Sequence, residues 1–202
     1  MLEAYRQFRQ MMEDIENIAA IYDFMELQNS HIDLSDLLRW QYVQSVSAFD
    51  KLIHDLIRIG MIEIFQSKRA PTKKYIEFPI NMGTYLMMVD SPLFLEDILE
   101  QRLVLYYKQF AFQDPKKVAD GLAYIWSAGD KWKEIAQEIG DSKESCVTRL
   151  RNISSRRNQI VHQGDYPDRW SDRQAIFKDD VVLVKEFMIA LGKAIYTCVR
   201  LK

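Results

Sequence analysis

Apolar residues recur at intervals of three and four from the start of the chain, and this period dominates its length. Between Leu2 and Leu27, Phe8, Met11, Met12, Ile15, Ile18, Ala19 and Tyr22 fall on one stripe flanked by charged residues. That spacing predicts an amphipathic helix, because it brings the apolar side chains to one face. A second helix is predicted after Asp33, from Leu34-Ser35-Asp36 to about Phe65, with Phe49, Leu52, Ile53, Leu56, Ile57 and Ile64 on its stripe. Gly60, inside this run, is expected to mark a bend or a close helix contact.

The pattern breaks between Gln66 and Ser91. Pro71, Pro79, Gly83 and the Ser91-Pro92 step punctuate short apolar pieces there. An elaborated insert around residues 66–92 is expected, in place of a third long helix. Its Met-rich stretch, Met82 to Met88, reads as core or partner-contact packing. Helix resumes with Pro92 in its first turn and runs to about Phe112. Asp114-Pro115 opens another to Trp126, and Lys131 to Ile139 form a shorter one. Asp141 with Glu144 three residues later predicts a capping box for a helix to about His162. A loop from Gln163 to Ala175 precedes a last amphipathic helix, Lys178 to Leu201. No repeat, low-complexity tract or long linker divides the chain. Residues 1–202 are therefore expected to form one all-α domain, a bundle of four to five main helices.

Composition agrees with that reading. Seven Gly and five Pro are few breakers for 202 residues, and a 48% hydrophobic content excludes wholesale disorder. Cys146 and Cys198 form neither a disulfide framework nor a metal-type spacing, as expected in a reducing cytosol. Each sits in an apolar helical pattern, which makes no case for a nucleophile. No run approaches a membrane span, and the acidic start resembles neither a signal nor a transit peptide. A cytoplasmic protein that does not engage the membrane is expected.

Charge changes the picture more. The totals, 27 Lys and Arg against 29 Asp and Glu, exclude a generally basic binder. Locally they diverge. Glu3, Glu13, Asp14, Glu16, Asp23 and Glu26 face only Arg6 and Arg9 in the first helix. Between Ser142 and His162 the balance reverses, with Lys143, Arg149, Arg151, Arg156 and Arg157 against Glu144 alone. A cationic helix in a neutral protein is a candidate phosphate-binding face, or simply a solvated one. It ends in Arg157-Asn158-Gln159-Ile160-Val161-His162, and Gly164 is a plausible helix stop. Arg157 and His162 are five residues apart, about 140° of rotation and about 7.5 Å of rise on an ideal helix, so they share no stripe. An arginine and an imidazole are nevertheless a minimal kit for RNA cleavage. The guanidinium stabilises charge on the phosphorane-like transition state, and histidine titrates near enough to neutrality to take or give the proton. The sequence offers no carboxylate or His/Cys cluster to hold a metal, and no cofactor is expected.

The Arg157–His162 segment resembles the R-x4–6-H signature of the HEPN family, in which a polar residue such as Asn158 commonly follows the arginine. Val46 to Leu56 and Trp132 to Ala136 are similar to the RiboL-PSP-type branch, and the likeness spans roughly Leu37 to Trp170. It implies a HEPN-like helical bundle, a homodimer that brings two motifs over one cleft, and metal-independent endoribonuclease activity. Such proteins are often effectors of prokaryotic toxin–antitoxin or antiphage systems, with an antitoxin or defence-system partner. By this resemblance Arg157, Asn158 and His162 take the catalytic positions; Arg151 and Arg156 are the expected RNA contacts. HEPN toxins silenced by nucleotidylation carry a tyrosine two residues after the histidine, where this chain has Gly164 and places Tyr166 two residues further on. A dimer is also argued from chemistry, since transphosphorylation works best with both a base and an acid. Each chain has one histidine in its basic region.

On the second helix His54 has Asp50 and Arg58 one turn either side, an expected polar cluster that supports the cleft or remains an ordinary surface group. His31 is expected in a loop or cap. Two other functions fit the same sequence. Residues 132–157 match a helix-turn-helix, which would bring Lys143, Ser145 and Thr148 to DNA base edges. A catalytically silent adaptor or antitoxin is the other.

Overall fold

The computed structural model describes residues 1–28 and 31–200. Its helices are α1 (Leu2–Leu27), α2 (Ser35–Phe65), α3 (Lys73–Ile76), α4 (Met82–Asp90), α5 (Leu95–Tyr107), α6 (Pro115–Leu122), α7 (Lys131–Ile139), α8 (Lys143–Gln163) and α9 (Lys178–Arg200). Among the described residues there is no strand, and the chain is all-α as expected. The anticipated last helical position, Leu201, lies outside those residues. No described helix is long and apolar enough to cross a membrane.

The bundle is organised around α2. Its apolar residues cover more than one stripe, with Val46, Phe49, Ile53, Leu56, Ile57 and Met61 all shut off from solvent. A helix apolar over so wide an arc has to be wrapped, and α1, α5, α6, α8 and α9 pack around it. Gly60 allows one close approach, because a Cβ there would lie 2.6 Å from Ile125 Cγ2. It is a contact point, and α2 continues through it as helix. Gly192 does the same for α9, since its Cβ would meet the Phe8 ring of α1 at 2.6 Å.

The insert is stapled to the core at its beginning. Buried Arg69 donates to the carbonyls of Val199 (2.9 Å) and Ile125 (3.2 Å) and pairs with Glu63. Thr72 Oγ1 donates to the Tyr124 carbonyl at 2.9 Å and accepts the Tyr75 N–H, capping α3. Beyond it, α3 and α4 bury no residue. Of the two expectations for Met82 to Met88, core packing holds only in part, and partner contact lies outside a single chain. Met88 touches the core, whereas Met82 and Met87 stand exposed.

Helix ends differ from the sequence reading where aromatic burial intervenes. Pro92–Phe94 form a 3-10 turn before α5. The helix expected to reach Phe112 stops at Tyr107, because the chain turns to bury Phe112 against Tyr107 and Phe110. Similarly α6 stops at Leu122, where Tyr124 and Ile125 donate to the Gly121 and Leu122 carbonyls in turns that bury Trp126. The cap of α8 moves by one residue. Ser142 Oγ accepts the Ser145 N–H at 3.1 Å, while Asp141 takes the Ser142 N–H and the Ser145 hydroxyl, which hold its carboxyl below the usual range.

Candidate active site

α8 divides its residues between core and solvent. Cys146, Leu150, Ile153 and Ser154 are buried. The Ser154 hydroxyl donates to the Gln113 carbonyl at 2.5 Å and the Ile153 carbonyl accepts the Tyr42 hydroxyl at 3.3 Å, fixing the helix's rotation against α2. Arg151, Ser155, Asn158 and His162 then share an exposed stripe, since each lies within about 100° of rotation on one side of Ser154. Arg157 falls on the other side of Ser154, toward α2. The His162 side chain makes no hydrogen bond or ion pair among the described residues.

Arg157 is half-buried. One terminal nitrogen donates to Asn158 Oδ1 at 3.2 Å, while its Nε is buried without a partner. Within electrostatic range of it on α2 is Asp50, which accepts the backbone N–H of Phe112. Burial lifts the Asp50 carboxyl above its ordinary range, opposed by His54, the Phe112 N–H, Arg157 and Lys117. His54 Nε2 stands 3.9 Å from Asp50 Oδ2, and its ring meets the Phe112 ring edge-on at 4.7 Å. Thus α2 and the turn before α6 bring Asp50, His54 and Phe112 together, and Arg157 of α8 lies within electrostatic range of Asp50. The anticipated one-turn cluster is only partly formed, because Arg58 pairs with Glu100 and Asp55 and not with His54.

Most of the cationic charge of α8 is already spent. Lys143 bonds Asp130 Oδ2 at 2.8 Å. Arg149 donates to the Leu183 carbonyl and lies over the Phe187 ring at 4.6 Å. Arg156, expected to contact RNA, is held by Asp165 Oδ2 at 2.9 Å and by the Ala175 carbonyl. Arg151, exposed and without a polar partner among the described residues, and Arg157 remain. The acidic first helix is offset too: Lys178 pairs with Asp23 and Lys185 with Glu16, both at 2.6 Å.

The knot that holds Arg156 was not visible in the sequence. Asp165 is fully buried, and its Oδ2 also accepts from Arg39 Nε of α2 at 2.8 Å. Arg39 reaches onward to the Gln174 carbonyl, and the Gln174 N–H returns to the Asp165 carbonyl. The loop that follows His162 is thereby tied to the start of α2. Asp165 lies 126 positions from Arg39 and carries no local signal except the preceding Gly164 stop. Gly164 closes α8 at φ +60 as anticipated, a conformation that strains any side chain. A tyrosine is disfavoured there for that reason, and the Tyr166 ring, half-exposed, lies beside Gly164, 3.6 Å from where a Cβ would stand.

The helix-turn-helix geometry is present in outline, with Gly140 at φ +82 joining α7 to α8. Two of its three proposed base-reading residues are engaged within the chain, Lys143 with Asp130 and Ser145 with Asp141. Cys146 is buried, and burial raises its thiol, which suits packing and not nucleophilic chemistry. Among the described residues no three His, Cys, Asp or Glu cluster in a way that could hold a metal ion.

A comparison with protein families finds a match. The RiboL-PSP-HEPN family model covers residues 10–199, nearly the whole chain. No curated protein and no solved structure matches it.

Proposed function

Because the chain belongs to the RiboL-PSP-HEPN family, we propose that it is a metal-independent endoribonuclease acting by 2′-OH transphosphorylation at a site shared between two copies. The observation that carries this reading is Arg157. It is the one α8 guanidinium both half-buried and left with an unpartnered N–H, an incomplete anion site beside Asn158.

A base removes the 2′-OH proton, the 2′-oxygen attacks phosphorus, and the 5′-oxygen leaves as it gains a proton. The products are a 2′,3′-cyclic phosphate and a 5′-hydroxyl. Arg157 stabilises the charge that builds on the phosphoryl oxygens. His162 supplies the base or the acid. Within one chain His162 is turned away from Arg157, so a second copy set against the exposed stripe of α8 provides the opposing imidazole. Asp50 and His54 support Arg157 from α2. The same family likeness suits a toxin or antiphage effector with a neutralising partner in the cytoplasm. The engaged Lys143 and Ser145 weigh against the DNA-binding alternative.

The test is cleavage of RNA by purified protein in EDTA. His162→Ala and Arg157→Ala are each expected to lower the rate by about 100-fold or more. Unchanged cleavage by both variants refutes the site, and loss of cleavage in EDTA that returns with a divalent ion refutes the mechanism. A monomer by light scattering at micromolar concentration refutes the shared site. A well-folded dimer that cuts no RNA supports the silent-adaptor reading instead.

A further inference from the structure

Resting on that ribonuclease reading, we infer that a ring-lined pocket beside Asp50 holds one unpaired nucleobase of the substrate, next to the phosphate taken by Arg157. The RNA is therefore single-stranded at the site.

The pocket lies between the end of α5 and the start of α6, with a volume of about 210 Å³, below the usual range for drug-sized ligands and suited to one base. Tyr106, Tyr107, Phe110, Phe112 and Tyr124 line it. Phe112, Tyr107 and Tyr124 are buried and fixed by ring contacts, including Tyr107 to Tyr124 at 5.8 Å and Tyr107 to Phe112 at 6.0 Å. Tyr106 and Phe110 are only half-buried, while Lys74 Nζ lies over the Tyr124 ring at 4.8 Å and Phe110 stacks on Phe112.

Charge complements a nucleotide. Lys117, in the first turn of α6, is exposed; its backbone N–H goes to the Asp114 carboxylate, and its ammonium has no hydrogen-bond or ion-pair partner among the described residues. The acid on the same rim, Asp120, is matched by Lys74, whose Nζ stands 3.9 Å from its carboxylate. The rim is left with the Lys117 cation, placed for a phosphate, and the wall with π-faces, placed for a base.

Continuity with the candidate active site sets the register. Phe112 forms the pocket wall, and its N–H is the donor to Asp50. Both Lys117 and Arg157 lie near enough to act on the Asp50 charge. A base in the pocket and a phosphate on Arg157 thus sit on either side of one residue, as neighbouring parts of one strand. An A-form duplex keeps its bases stacked inside, so only an unpaired base enters.

The experiment compares two short 2′-O-methyl oligonucleotides, which cannot be cut, one bearing bases and one abasic at the central positions. Affinity is measured by fluorescence anisotropy for the full-length protein and for Phe110→Ala, Phe110→Leu and Lys117→Ala. Loss of one stacking contact is expected to weaken the base-bearing strand about 5- to 150-fold in both Phe110 variants and to leave the abasic strand unchanged. Lys117→Ala is expected to weaken both strands and to lower the salt slope by about 0.7. Phe110→Leu keeps apolar volume, and a wild-type melting curve establishes that it folds. Equal effects of Phe110→Leu on the two strands, or none on either, overturn the pocket. If wild-type protein cuts RNA in EDTA while that result holds, only the pocket falls. If wild-type protein neither binds nor cuts RNA, the ribonuclease reading falls with it.

Discussion

Replacing Asp165 by Asn is the sharpest test of how the site is held. The carboxylate has no solvent exposure, and its Oδ2 accepts from Arg39 at 2.8 Å and Arg156 at 2.9 Å. Asn keeps the shape, retains one accepting oxygen and tolerates the left-handed backbone at φ +72, so packing and strain stay nearly constant. What changes is charge. Two charge-assisted hydrogen bonds become neutral-acceptor bonds of roughly half the strength. Arg39, whose side chain is 5% exposed, is left without a buried counter-ion, and its remaining acid is exposed Asp36 at 3.6 Å. Breaking a buried pair by removing one partner costs about 3–5 kcal/mol, and the oxygen retained by Asn places the expectation near the lower end, about 3 kcal/mol. For a chain of this size that is a fall in Tm of about 6–12 °C. Thermal unfolding followed by circular dichroism measures it. The loop after His162 is released as well, so RNA cleavage is expected to fall further than the unfolded fraction explains at the assay temperature. A Tm change below about 2 °C, less than 1 kcal/mol, refutes the view that this ion triad anchors the end of α8.

Asp50→Asn has the opposite sign at neutral pH. The folded pKa of Asp50 is raised, so the folded state holds the proton more tightly and loses stability as pH rises through that folded value. Asn still accepts the Phe112 N–H, and the variant is expected to match wild type below the ordinary carboxylate range and exceed its Tm at pH 7. A less stable variant at pH 7 shows that attraction to Arg157 and His54 outweighs burial. In salt titrations of RNA binding, Arg151→Ala is expected to lower the slope by about 0.7 on single strands, and Lys143→Ala to leave it unchanged because that cation is already paired. Equal slopes for the two variants refute the division of α8 into free and engaged cations. Gly192→Ala forces a methyl to 2.6 Å from the Phe8 ring and 3.0 Å from Leu52 Cδ2. An overpacking cost of about 1–3 kcal/mol is expected from urea unfolding, and an unchanged midpoint shows that Phe8 yields freely.

The division of charge in α8 alters what a basic helix means. Five cations in a short stretch suggest a broad phosphate-binding face, yet Lys143, Arg149 and Arg156 are spent on Asp130, the Leu183 carbonyl and Asp165. Two guanidiniums remain, one exposed and one half-buried. A site of that size fits localised recognition of a phosphate better than extended, sequence-independent binding along a duplex.

The sequence by itself determined the helices and the motif. The period of apolar residues located α1, α2, α7 and α9, and Gly164 marked the end of α8, because these are local consequences of 3.6 residues per turn and of backbone sterics. Family likeness was legible in local text too, in Val46 to Leu56, Trp132 to Ala136 and Arg157 to His162, and the family model extends it over residues 10–199. Tertiary structure decided the rest. It cut the helices before Phe112 and Trp126 short, since burying those rings outweighed two more turns of helix. It turned Arg156 inward to Asp165 and Arg157 toward Asp50, a choice fixed by which face of α8 meets α2. It also placed Phe112 between an aromatic pocket and the Asp50 carboxylate. Residue spacing along one helix sets only rotation and rise. Which charges stay free depends on partners as far as 126 positions away, and only the packed chain brings those together.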